Sequence, residues 1–283
     1  MNEHLSGQDF AEAPLQEDVP SPVKALSNAV RTPGELARRL EECAILLDID
    51  GTLLDLAPTP REVWVPPGLA RTLTGLLEKT SGALALVSGR SLNDIDLIFA
   101  PEQFPAVGGH GAEMRISGDN EAVATHAPPM DKELKRRLAA IARLSPGILL
   151  EDKGYSLALH YRLAPHAEKA IYAAVSLIRA DLPNAPIEVL PGKCVCEIKH
   201  SGFNKATGVL ELMTHEPFRG RRPIFIGDDV TDESVFAIMP DLGGLAFSVG
   251  RRAKGVADHF DEPRDVREWL AQLLDNEKAP VRP

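Results

Sequence analysis

Four apolar residues, Ala44-Ile45-Leu46-Leu47, run straight into Asp48-Ile49-Asp50-Gly51-Thr52. Nothing polar interrupts the run, so neither face of it suits water. It reads as a strand covered on both sides. Comparable runs recur in 83–90 (ALALVSGR), 222–229 (RPIFIGDD) and 245–250 (LAFSVG). Helix-like stretches separate them, at 66–82, 91–99, 231–239 and 263–276. Continuous apolar strands alternating with helices predict a doubly wound, Rossmann-like parallel sheet, an α/β core. In such sheets ligands sit beyond the carboxyl ends of the strands.

The middle of the chain is patterned differently. Residues 131–144 and 166–182 are amphipathic helices. Residues 147–162 read as a hairpin turning at Lys153-Gly154, and 187–199 as another around Pro191-Gly192. This antiparallel α/β segment predicts an inserted cap domain over 115–198, splitting the core into 31–114 and 199–276. Residues 1–30 are polar, acidic and proline-containing, and read as a flexible leader. A helix follows over 32–43, with Thr32 as N-cap and Pro33 in its first turn.

Bulk properties narrow the function. With 283 residues, 44% of them hydrophobic, the chain can bury a substantial core. A formal net charge of -10 argues against non-specific nucleic-acid binding. It also means that an anionic substrate would need cations gathered locally. The three cysteines, Cys43, Cys194 and Cys196, form no disulfide framework, and the C-x-C pair is expected to pack in a core. No signal peptide and no run of membrane-spanning length is present in the sequence, so no membrane partner and a cytoplasmic location are expected. Trp64 and Trp269 are expected to be packing residues.

The strand ends carry the chemistry. Asp48 and Asp50, then Ser88-Gly89-Arg90, then Asp228-Asp229 with Asp232 one turn on, would meet at one sheet edge. Carboxylates gathered there would repel one another unless a divalent cation neutralised them, and oxygen-only donors favour Mg²⁺. Lys205 opens a predicted helix and supplies a cation that can fix an anionic substrate and keep a carboxylate ionised. Acids, a small hydroxyl residue and a lysine together make a phosphoryl-transfer site.

The motifs DIDGTLLD, VSGR, the helix-opening Lys205 and GDDVTDE, in that order, resemble the four motifs of the haloacid dehalogenase-like phosphatases. The resemblance covers about residues 44–260. It implies that Asp48 is the nucleophile and forms an aspartyl phosphate, and that Asp50 is the general acid and then the general base. It implies Ser88 and Lys205 as the other catalytic residues. Mg²⁺ would be held by Asp48, the Asp50 carbonyl and Asp228, with Asp229 and Asp232 near it or one shell out. Gly51 would let backbone N–H groups face the phosphate.

Cap and hinge motifs narrow the resemblance to the trehalose-6-phosphate phosphatases. GGHGAEM (108–114), KGYSLALHYR (153–162) and GKCVCEIKHSGFNK (192–205) are similar to that family's pattern, although Ala206 stands where a glycine is usual. Substrate contacts are expected at Gly51, Gly89, Arg90, His110, Glu113, Lys153, Lys193 and Glu197. Strand alternation places Lys193, Val195 and Glu197 on one face, with Cys194, Cys196 and Ile198 on the other. A lysine and a glutamate on the first face would offer donor and acceptor to sugar hydroxyls. His160 and Arg162 share a face that either meets ligand or is solvated. The expected substrate is therefore a sugar phosphate, trehalose 6-phosphate. The residues leave open a different sugar phosphate, such as sucrose 6-phosphate or a mannosyl phosphate. They also leave open a non-catalytic partner of a trehalose-phosphate synthase, and functional pairing with such a synthase.

Overall fold

A computed structural model describes residues 36–57, 62–118, 124–125, 127–192 and 194–275. The leader, Thr32, Pro33 and Lys193 lie outside the described residues. The core strands are β1 (Cys43–Leu47), β2 (Leu84–Val87), β3 (Ala106–Gly108), β4 (Glu113–Arg115), β5 (Ala124–Thr125), β10 (Arg222–Gly227), β11 (Leu245–Val249) and β12 (Asp258–Phe260). They form one sheet in the order β12-β11-β10-β1-β2-β3-β4-β5. The first six in that order are parallel, and β4 and β5 are antiparallel additions.

Alternation along β1 explains the double winding. Ile45 and Leu47 face a core built with helices α1 (Leu69–Lys79), α2 (Leu92–Phe99) and α7 (Pro263–Asp275). Ala44 and Leu46 face the opposite core, built with α5 (Lys205–Leu212) and α6 (Glu233–Ile238). Every residue of β1 is buried, as a strand covered on both sides requires. Trp269 packs on Phe247 and Phe260 as expected. Trp64 does not pack: it is 64% exposed, while its neighbours Val63 and Val65 turn inward.

The inserted unit has the antiparallel order β6-β7-β9-β8, with β6 (Leu149–Asp152), β7 (Ser156–His160), β8 (Ile187–Gly192) and β9 (Val195–His200). Helices α3 (Lys132–Ala140) and α4 (Glu168–Asp181) cover one face, over Leu157, Leu159, Cys196 and Ile198. That is the face assigned to Cys196 and Ile198 from alternation alone. Two details differ from the sequence reading. The second hairpin does not turn at Pro191-Gly192, which still pair with Cys196 and Val195, and Cys194 lies in the left-handed region at φ 62°. Strand β4 pairs with β3 and β5 pairs with β4, so the core sheet continues past residue 115, while β9 carries the cap sheet to His200.

Candidate active site

The site begins where β1 ends. The Asp48 N–H still donates to the Ile226 carbonyl at 2.9 Å, so the carboxylate is fixed at the strand's last rung and is almost fully buried. The chain then folds back on itself, with the Leu53 and Leu54 amides on the Ile49 carbonyl and the Gly51 N–H on the Leu54 carbonyl. That last bond uses the very group expected to face phosphate, so Gly51 does not offer its N–H. Its own requirement is different. Gly51 has φ +80°, and a Cβ there would stand 2.0 Å from Asp228 Oδ2. Glycine is needed because Asp228 approaches the backbone.

Four segments converge on Asp48. Thr52 Oγ1 donates to its Oδ2 at 3.1 Å, a contact the sequence motif contained but whose role spacing alone did not show. Lys205 Nζ donates to its Oδ1 at 2.7 Å and to Asp232 Oδ1 at 2.7 Å. The lysine is held at the first position of α5 by an Asn204–Thr207 capping box. Asp232 Oδ2 accepts the N–H groups of Asp228 and Asp229, each at 3.0 Å. Asp229 itself is exposed and caps the following turn through the Val230 N–H, so the structure does not bring its side chain to Asp48.

Ser88 follows β2 beside Asp48, buried, its N–H on the Val107 carbonyl. Its Oγ accepts the Arg90 N–H at 3.1 Å. Arg90 in turn grips Asp50 with both ends of its fork, Nε to Oδ2 at 2.5 Å and Nη2 to Oδ1 at 2.6 Å. Gly89 is needed for space, because a Cβ there would stand 2.4 Å from His110 Nε2.

His110 is held at φ 54° with its N–H on the Ser88 carbonyl. A non-glycine residue in that region marks a constrained site. Its Nε2 lies 3.8 Å from Glu197 Oε2, which places the β9 side chain against the core strand ends. Burial pushes the imidazole down to about 4, more than the nearby Glu197 raises it, so His110 is neutral at pH 7. Glu197 also accepts from Ser156 Oγ at 2.9 Å and Lys153 Nζ at 3.4 Å. Glu113 behaves otherwise than expected of a sugar ligand. Its Oε2 accepts the Leu92 N–H at 2.7 Å and so satisfies the N-terminus of α2. His160 pairs with Glu151 at 2.9 Å. A groove of about 700 Å³, lined by Pro128, Met130, Tyr155, Pro183, Pro186 and His200, includes none of these site residues.

Electrostatics point to a missing positive charge. Asp48, Asp228 and Asp232 place carboxylate oxygens within 4.8 Å of one another, against a single ammonium. Burial raises Asp48, with Lys205 opposing and Asp232 and Asp228 reinforcing. Burial likewise raises Asp228 to about 6, helped by Asp232 and Asp229. For Lys205 burial works to remove the proton, but Asp232 and Asp48 outweigh it and keep the amine charged. Asp228 Oδ1 is buried with no protein partner. An oxygen-only cluster with an orphaned carboxylate oxygen fits a hard divalent cation. Asp48 and Asp232 are each bonded through both oxygens, which makes Asp228 Oδ1 the carboxylate oxygen of the cluster that has no protein partner.

A doubly wound α/β core, an inserted cap and an aspartate–lysine–aspartate cluster at the strand ends define a phosphatase of the haloacid dehalogenase type. Within that class the sequence matches the trehalose-phosphatase family over residues 46–264, and the chain belongs to that family. It is 44% identical over 217 residues to a probable trehalose-phosphate phosphatase of Sinorhizobium fredii, covering 76% of this chain and 80% of the relative. It is 38% identical over 232 residues to the trehalose-6-phosphate phosphatase of Escherichia coli, covering 81% and 86%. Its fold is similar to the C-terminal domain of the C. albicans trehalose-6-phosphate phosphatase, with a TM-score of 0.73 at 20% identity over 87% of this chain and 96% of that one. None of the described helices is long and apolar enough to cross a membrane.

Proposed function

We propose that this chain hydrolyses trehalose 6-phosphate to trehalose and inorganic phosphate in a Mg²⁺-dependent reaction through an aspartyl-phosphate intermediate. The observation that carries the reading is the Lys205 ammonium bridging Asp48 and Asp232 at 2.7 Å each, which joins residues far apart in sequence around one buried nucleophile. Asp48 attacks phosphorus: its oxygen–phosphorus bond forms while the bond to the sugar oxygen breaks, and Asp50 delivers the proton that the departing oxygen needs. In the second step Asp50 takes a proton from water, the water oxygen bonds to phosphorus, and the Asp48–phosphorus bond breaks. Lys205 and Thr52 hold Asp48 in the orientation for attack. Ser88 contributes a hydroxyl at the phosphate edge.

Asp48, Asp228 and the Asp50 carbonyl would hold the cation, with Mg²⁺ favoured by the oxygen donors. Bound there, it would supply charge neutralisation for the phosphoryl oxygens. Glu197, Lys153, Ser156 and neutral His110 present donors and acceptors suited to sugar hydroxyls. The test is phosphate release from a panel of sugar phosphates, with Mg²⁺ and with EDTA. Trehalose 6-phosphate should be preferred and EDTA should stop release; equal rates across the panel would defeat the narrow substrate. Asp48→Asn should abolish release while melting like the wild type, and full activity in that variant would remove Asp48 from the nucleophile's role.

A further inference from the structure

Arg90 restrains Asp50 while it holds it. Both carboxylate oxygens are engaged by the guanidinium fork, at 2.5 and 2.6 Å. Each oxygen so held keeps a lone pair, but the fork fixes where the carboxylate points. The pair therefore restrains Asp50, and the question is what loosens it. Arg90's backbone is pinned, its N–H on Ser88 Oγ at 3.1 Å and its carbonyl receiving the Gly109 N–H at 2.7 Å. The exchange is thus one of side chains, on a loop that stays in place.

We propose that Arg90 is a positioning residue that restrains Asp50 before substrate arrives and passes from Asp50 to the phosphoryl group of the incoming substrate. This rests on the reading of Asp50 as acid and base given above. A phosphoryl group presents the guanidinium with oxygens in the same forked geometry as a carboxylate, and with more charge. It arrives next to Arg90, because Asp48 and Ser88 end neighbouring parallel strands in register, Leu47 opposite Leu86. The edge is short of cations, with Lys205 already shared between Asp48 and Asp232. Once released, Asp50 is the partner free to swing: its side chain is 34% exposed against 12% for Arg90. Binding the anion and freeing the acid are then one event, so Asp50 is delivered only when there is a phosphoryl group to work on.

The test is a double-mutant cycle in the affinity for inorganic phosphate, measured by calorimetry with saturating Mg²⁺ in the full chain. Removing Asp50 should remove its competition with the anion for the Arg90 fork, so Asp50→Ala should bind phosphate roughly tenfold more tightly than the wild type, the scale of a partly exposed charged hydrogen-bond pair. The gain should vanish when Arg90 is absent, with Asp50→Ala/Arg90→Met no tighter than Arg90→Met. A gain of equal size in both backgrounds would mean that Asp50 merely repels anions, and would overturn the exchange; so would no gain in either. Should Arg90→Met fail to melt cooperatively, Arg90→Lys replaces it, keeping the charge without the fork, and the gain should shrink. Turnover of trehalose 6-phosphate by Asp50→Ala is read separately. Full turnover there would overturn the acid–base reading, whereas the phosphate cycle alone decides the exchange.

Discussion

At the scale of single residues, the site is crowded with charge that protons or a cation must balance. Asp228 shows the consequence. Its folded-state value of about 6 lies above the ordinary carboxylate value of about 3.9, so the cation-free folded protein keeps a proton that the unfolded chain has released. Its contribution to stability is therefore complete below about pH 4 and is lost as pH rises through about 6. Asp48 shifts in the same direction and adds to the trend. The melting temperature in EDTA should fall between about pH 4 and pH 6, and saturating Mg²⁺ should remove that fall, because the cation then takes the place of the proton. Parallel slopes with and without Mg²⁺ would contradict the site. Gly51 gives a second residue-level prediction. Gly51→Ala drives a methyl into Asp228 Oδ2 and strains a φ of +80°. It should cost about 1–3 kcal/mol and abolish the Mg²⁺-dependent melting shift. A shift of wild-type size in that variant would show that Asp228 is not needed for the cation.

At the scale of elements, the hinge between β9 and α5 turns around a buried lysine. Lys199 pairs with Glu188 across the cap sheet and donates to the Phe203 carbonyl. One residue further on, Asn204 caps the helix that presents Lys205 to Asp48. Lys199→Met should destabilise the fold by about 1–2 kcal/mol, since Glu188 is open enough to be hydrated. It should also lower kcat by loosening the placement of Lys205; wild-type kcat would separate the hinge from the nucleophile. The same scale explains what was legible in the sequence. Buried strands and their polar ends could be read because uninterrupted apolar runs have one physical use and β1 obeys it at every residue. The roles of Glu113, Gly51 and Asp229 could not. Each is decided by a backbone partner: the Leu92 N–H for Glu113, the Leu54 carbonyl for Gly51, the Val230 N–H for Asp229. A residue type and its spacing do not announce such partners. Likewise the chain from 115 reads as the start of the cap until the pairing of β4 with β3 and of β5 with β4 is seen.

At the scale of the whole molecule, the proposed function has the two halves divide the substrate between them, with groups for phosphate and cation on the core and groups for sugar on the face of the cap sheet away from its helices. Glu197 is where they touch, 3.8 Å from His110 of the core and bonded to Ser156 and Lys153 of the cap. Because His110 is neutral, the contact is not an ion pair and carries little energy of its own. It is suited to be opened and remade around a ligand. If the division of labour is right, damage to Glu197 must appear in sugar recognition and not in phosphate recognition. Glu197→Ala should raise KM for trehalose 6-phosphate roughly tenfold, the scale of one lost hydrogen bond to a hydroxyl. Inhibition by inorganic phosphate should be unchanged, because Asp48, Ser88, Arg90 and Lys205 are untouched. Were phosphate inhibition to weaken in step with KM, the cap and core would not be separable in this way, and Glu197 would have to act through the SGR loop by way of His110 instead.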